Sequence, residues 1–563
     1  MVSLLWLMFS CGGPAETLPP GGDGGGDGGD DGGTETETLP GTGALSPLEP
    51  PRLLRRISLD LRGILPSVEE LDAVEADPSQ LTALRDAWME DPRFEERLVH
   101  LYAARWHTRV DAFLLLYTEY LSGEDPTREY ELERMVGEEP LRLIARVIAH
   151  DLPWSDVVQA DWTMGTALMA QAWPVEHGGG EGWQPSRYTD GRPAAGVLST
   201  NGLWWRYFST VTNYNRGRVA ALTRLLICED YQSRTISFAE ASGGLGEGVV
   251  VEDALREDPY CMGCHSAIDP IATTLFGFWP ANEYNADEVD TYHPEREAQG
   301  EVLLQTPGQW YGDPVSGLVE LGAHIAADPR FERCAVQTAA ELLWRREAGV
   351  QDFDRIEALA QVYRGSDGRM KPVLRAILDE EVYRAADHAA KAGEASSENT
   401  ARLLSPDQAA SAIEELTGFR WTWMGFDQLD NDTIGYRVMA GGVDGDLSTR
   451  MLPLPNMTTV LVQQRLAEAA ASHALGGGLS GSGLSGALGG LLEGVDEASR
   501  PGDPAFDGAL AALAWHLHAE RPDEAYLAEL QALWTAVEAS DGASAAWQAT
   551  LIVLLRDPSF LVL

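Results

Sequence analysis

The chain runs to 563 residues, with 87 acidic against 41 basic side chains, a formal net charge of −46 and 44% hydrophobic content. That length exceeds what one core serves and implies about three or four domains, and the hydrophobic content with 17 Trp excludes a disordered chain. So acidic a surface repels nucleic acid and anionic lipid head groups; nucleic acid is set aside as a partner, and solubility, cationic partners or a salty medium fit better.

Residues 1–10 read MVSLLWLMFS, a short apolar run ending directly before Cys11, with Ser10 before that cysteine and Gly12-Gly13 after it. The pattern is that of a bacterial lipoprotein signal, which makes Cys11 the expected acylation site. The run lacks a Lys or Arg and is short for a signal, which a start codon further upstream would explain. A cytosolic chain with a ragged apolar start is the competing reading. Residues 11–48, with GGDGGGDGGDDGG from Gly21 to Gly33, have almost nothing to bury and are expected as a disordered Gly/Asp-rich tether. No later apolar run is long enough to span a bilayer. The lipid is then the expected membrane attachment, in the periplasm or at the outer membrane surface.

From Pro50 the pattern is mainly α, a multi-domain helical protein with long irregular loops. Residues 49–160 are expected as an N-terminal helical domain. Leu53 to Asp60 and Leu81 to Met89 carry apolar side chains at helical spacing. Asp91-Pro92-Arg93-Phe94 opens a longer helix, with Asp as the cap and Pro in the first turn, through Leu98, Leu101, Tyr102 and Trp106. The same opening recurs at Asp328-Pro329-Arg330-Phe331 and at Asp557-Pro558. Either a helical unit was duplicated or capping chemistry recurred.

Residues 161–390 are expected as a central helical domain, less regular between about 160 and 260. His177-Gly178-Gly179-Gly180 reads as a loop, since no Gly-x-Ser-x-Gly nucleophile elbow accompanies it. Arg216 to Cys228 reads as an amphipathic helix. Then comes Cys261-Met262-Gly263-Cys264-His265, the spacing for covalent attachment of a c-type haem in a cytochrome-c-like segment. Two thiols at that separation can each add to a porphyrin vinyl group, and the His that follows is placed to be the proximal iron ligand. Half a zinc site and a redox dithiol compete with this reading. The first lacks a second ligand pair at zinc spacing, and the second lacks a βαβ context. For the sixth ligand the candidates are His293, Met370 or an open site.

Residues 391–563 are expected as a C-terminal helical domain. Ser405-Pro406-Asp407 caps a helix that ends at Thr417-Gly418, and the stretch Gly476 to Gly490 reads as a mobile surface loop. Asp430-Asn431-Asp432 and Asp444-Gly445-Asp446 read as turns, without the distal Glu a calcium loop needs. His516 and His518 fall on different helix faces. Of the five cysteines, Cys228 and Cys334 remain; in an oxidising compartment they form one disulfide or stay two buried thiols.

Several segments together resemble known exported proteins. Cys261 to Pro270 resembles the C-x-x-C-H-x-x-I-D-P core of planctomycete and myxobacterial cytochrome-associated exported proteins, which are domains of unknown function. Gly196 to Cys228 resembles the segment before that core. Gly317 to Arg384 resembles their C-terminal helical module, and Ile57 to Glu70 the opening of a related domain. The resemblance implies a largely helical exported protein with covalent haem on Cys261 and Cys264 and His265 on the iron. After Pro270 this chain reads IATTLFGF, where the commoner form has a Gly soon after the Pro. The expected function is one-electron transfer outside the cytoplasm with an unknown redox partner. A structural or macromolecule-binding surface lipoprotein, with polysaccharide as one such macromolecule and the Cys261–His265 motif as a structural haem or dithiol, is the alternative, and a haem peroxidase the third reading; no hydrolase or transferase motif occurs.

Overall fold

Asp-Pro caps set the starts of the helices that matter most. The computed structural model describes residues 47–109, 126–234, 251–278, 292–386, 402–431, 434–445, 447–479 and 484–563. Cys11, the expected signal and most of the tether lie outside them. Asp91 accepts from the backbone N–H of Arg93 at 2.8 Å, Asp328 from Arg330 at 2.9 Å and Asp557 from Ser559 at 2.8 Å. Each carboxylate satisfies a donor that a helix leaves unpaired at its start, while Pro occupies a position whose N–H is not needed. The helices Pro92–Trp106 and Pro329–Trp344 also end alike: the residue after each Trp, His107 and Arg345, is left-handed at φ 52° and 55°. The two meet through Trp154, whose ring lies 6.0 Å from Tyr102 and 6.3 Å from Phe331.

The fold is mainly α. Among the described residues, β structure is confined to one three-stranded and two two-stranded antiparallel sheets. The larger one places Gln184–Tyr188 between Thr163–Gly165 and Val175–Glu176, with Thr163 opposite Ser186 and Val175 opposite Tyr188. His177 and its glycines lie in the connection before the central strand.

The apolar side chains fill two main cores. The first takes residues from both segments expected as separate N-terminal and central domains: Leu98, Leu141, Ile144 and Ile148 pack with Val197, Leu225, Ile271, Leu321, Val336 and Leu374. Helices that bury one stripe each need partners, and these find them across position 160. The second core is formed by 404–563 together with Leu59 and Leu65. Helix Pro50–Leu61 therefore serves both cores, and residues 45–563 form one compact unit.

One expectation for the C-terminal part needs correction. The stretch Gly476 to Gly490 is not simply a surface loop: Leu479 and Leu488 are buried in the second core, and the Ser485 hydroxyl donates to the Thr417 carbonyl at 2.8 Å. Two leucines anchor what the glycines alone would leave loose. Its residues 480–483 lie outside the described ones. Asp430 does lie in a turn, as expected, while Asp432 and Asp446 lie outside the described residues. Asp430 is buried and paired with both Arg109 and Arg134, which tie Glu138 into the same cluster at 3.2 and 2.9 Å. Asp444 does make a turn, accepting from Ser448 N–H at 2.8 Å. Gly418 closes helix Pro406–Thr417 at φ 70°, the left-handed position where glycine carries no Cβ penalty.

Buried ionisable groups set a pH dependence. Burial pushes His100, His107 and His516 each down to about 4. The unfolded chain protonates them near 6.5, so between pH 6.5 and 4 it binds more protons than the native chain and stability falls as pH drops. Burial pushes Glu139 and Glu380 up to about 7. These act oppositely, adding stability as pH falls from about 7 to their unfolded value, about 4.3. Three groups against two leave a net loss between about pH 6 and 4, and Asp352 and Asp407, whose arginine neighbours hold their carboxyls down at about 2, add to it below about pH 4. Urea midpoints at pH 6.5 and 4.5 should fall toward acid, and His516→Leu should reduce that fall. Equal slopes in variant and wild type would contradict the assignment.

Candidate functional site

The motif lies on helix Pro259–Thr273. Its cap is one more Asp-Pro: Asp258 accepts from Tyr260 N–H at 2.8 Å. At about 100° per residue, Cys264 sits about 60° to one side of Cys261 and His265 about 40° to the other, so all three share one face. The first half of the helix is open to solvent, whereas Ile268, Asp269, Pro270, Ile271 and Ala272 are buried, with Ile271 and Ala272 in the first core. The helix is thus rooted at one end and presents the motif at the other. A side chain at Gly263 would meet nothing within 4 Å.

Cys261 and Cys264 are both free and partly exposed. Burial, with the Asp258 carboxylate, pushes the Cys261 thiol up. The Arg234 guanidinium lies 3.7 Å from Cys264 Sγ and stacks 4.6 Å over the Tyr231 ring, whose hydroxyl is 3.1 Å from that of Tyr311.

His265 Nδ1 lies 2.9 Å from Asp269 Oδ1, one helical turn on. Asp269 in turn accepts from Arg216 Nε at 2.8 Å and Nη2 at 2.9 Å, and Arg216 pairs with Glu252 at 3.0 Å. Burial raises the Asp269 carboxyl, but the hydrogen bonds and charge of His265 and Arg216 outweigh it and hold the group below the usual carboxylate value. His265 keeps 22% of its side chain exposed, against 8% for Asp269.

Arg216 opens helix Arg216–Leu226, whose far end is covalently held. Cys228, left-handed at φ 54°, is bonded to Cys334 of helix Pro329–Trp344, with the Cα atoms 5.2 Å apart. Of the two readings of these cysteines, the structure contains the bonded pair.

The sixth-ligand candidates are placed differently. His293 follows the end of the motif helix: its N–H donates to the Gly277 carbonyl at 2.8 Å, and its Nδ1 lies 3.3 Å from Glu295. A Cβ on Gly277 would fall 2.1 Å from the Tyr292 ring, so glycine permits this close return of the chain. Met370 is 1% exposed and packed in the first core, so its sulfur is a core-filling group.

No family model, curated protein or solved structure matches this chain.

The chemistry of the site therefore rests on its own donor set. Two unpaired thiols and an imidazole on one helix face match what covalent haem requires, and the porphyrin supplies the four equatorial ligands itself. Among the described residues, no group of three or more His, Cys, Asp or Glu is placed to hold a metal ion. The pair His265–Asp269 was open to reading as an i,i+4 contact on one helix. Arg216 and Glu252 carry no such local signal, since only the fold brings them in.

Proposed function

We propose that this chain is an exported lipoprotein carrying one c-type haem, attached through Cys261 and Cys264 with His265 as proximal ligand, and that it transfers single electrons outside the cytoplasm. The observation that carries the reading is the single face of helix Pro259–Thr273 on which both thiols are free and the imidazole is braced from behind. The resemblance of Cys261 to Pro270 to cytochrome-associated exported proteins supports it. Bound there, the haem supplies reversible one-electron exchange between ferric and ferrous iron. The chain holds the motif helix by its buried half, aims the imidazole through Asp269 and keeps both thiols accessible. Lipid on Cys11 would tether the protein to a membrane. At a formal charge of −46, the redox partner is expected to be cationic and the encounter to weaken with salt.

A polysaccharide-binding surface would use exposed Trp as a stacking platform. Trp106, Trp204, Trp515, Trp534 and Trp547 are among the largest fully buried side chains, which makes them core residues rather than a sugar platform.

Protein produced alongside a c-type maturation system should keep its haem through denaturing electrophoresis. The double variant Cys261→Ser, Cys264→Ser should keep none. Haem that leaves the wild-type chain on denaturation would overturn the proposal.

A further inference from the structure

We propose that Asp269, braced by Arg216 and Glu252, is a positioning residue for His265 that fixes its tautomer and makes its imidazole a stronger, more anionic iron donor, holding the haem toward the ferric state. The inference rests on the haem reading above and goes beyond it, because nothing in the attachment motif itself specifies a carboxylate behind the ring.

The argument begins with what each atom can do. Asp269 takes two parallel hydrogen bonds from one guanidinium, Arg216 Nε at 2.8 Å and Nη2 at 2.9 Å, a fork geometry that an ionised carboxylate suits. An ionised carboxylate only accepts. The 2.9 Å contact to His265 Nδ1 therefore requires the proton on Nδ1. In the neutral ring that leaves the lone pair on Nε2, the atom on the side away from Asp269. A ligating imidazole whose other nitrogen donates to a carboxylate is fixed in orientation and is more basic. More electron donation from the axial ligand favours the higher oxidation state of the iron.

The bracing tunes the effect. Arg216 neutralises part of the Asp269 charge, and Glu252, at 3.0 Å from both Nη atoms, occupies the remainder of the guanidinium. Helix Arg216–Leu226 is itself tied down by the Cys228–Cys334 bond, so the arginine is delivered from a fixed support. The motif helix contributes the His and the Asp at i and i+4, and Asp269 is buried enough for its charge to be little screened by solvent.

The test uses the full-length, haem-loaded protein with two readouts, the midpoint potential and the iron–imidazole stretching frequency of the ferrous form. Asp269→Asn should raise the ferrous-to-ferric ratio at fixed ambient potential by about tenfold, a shift of about 59 mV for one electron, and lower the stretching frequency. Arg216→Gln should move both in the opposite direction, because the unneutralised carboxylate pulls harder on the Nδ1 proton. Asp269→Glu should restore much of the wild-type value. A merely structural role would shift Asp269→Asn and Arg216→Gln the same way, and that result overturns the inference, as does an unchanged potential in Asp269→Asn with covalent haem retained. Should Asp269→Asn not fold, Arg216→Gln and Asp269→Glu still decide the sign. Wild-type protein without covalent haem would instead sink the functional reading, and this inference with it.

Discussion

Replacing Cys334 by Ala will lower the stability of the folded chain by about 4–5 kcal/mol. The Cys228–Cys334 bond closes a loop with a sequence separation of 106, and that loop contains the whole Cys261–His265 segment with its helix. Cross-linking so distant a pair removes closure entropy from the unfolded chain, about 4.7 kcal/mol for a loop near this length. Cys334 is also buried among apolar side chains, so truncation adds a small packing loss. Urea unfolding of the wild type, with and without reductant, checks the claim alongside Cys334→Ala. Reductant should move the wild-type midpoint to that of the variant and leave the variant unmoved. A wild-type midpoint indifferent to reductant would contradict it.

Asp60→Asn will cost about 3–5 kcal/mol, the loss typical of removing one partner from a buried charge cluster. Asp60 lies on helix Pro50–Leu61 and is 3% exposed. Its carboxylate accepts from the Tyr383 hydroxyl at 2.9 Å and Gln408 Nε2 at 3.1 Å, and faces Arg345 at 3.3 Å and Arg402 at 3.8 Å. Neighbouring Arg56 donates to the carbonyls of Tyr383 and Ala385 at 2.6 and 3.0 Å and to the main-chain oxygen of Leu563 at 2.9 Å. Asp60 thus offsets several buried cations where the first helix, the end of the first core and Leu563 converge. The amide keeps the shape and loses the charge, so Arg345 and Arg402 are left uncompensated. Denaturant titration of Asp60→Asn should show the drop. A loss under about 1 kcal/mol would mean that the surrounding carbonyls already satisfy the arginines.

Local chemistry was legible in the sequence and long-range pairing was not. Asp91-Pro92 and Asp328-Pro329 announce helix starts because cap and helix are adjacent in the chain, and both helices begin there. The same signal stood at Asp258-Pro259 and could have placed Cys261 near the start of a helix. The three-stranded sheet escaped notice because its strands span two to five residues, too short for alternation to register, and pair across a glycine-rich connection. Across position 160, Val197 and Leu198 pack in the same core as Ile144, a contact between segments that no local pattern signals. At the site, the cysteines and His265 were readable from spacing, and Asp269 from its helical turn. Arg216 lies 53 residues from Asp269, and no pattern along the chain joins them. Likewise, counting cysteines left Cys228 and Cys334 open, since only proximity in space decides a bond.

The most direct measurement of the central claim is a pyridine haemochrome spectrum on denatured protein made with a c-type maturation system, with Cys264→Ser beside it. The account predicts a haem that survives acid–acetone extraction, with the α-band of two thioether bonds, and a band displaced toward the single-thioether position in the variant. Haem extracted into the acetone, or none bound, would contradict it.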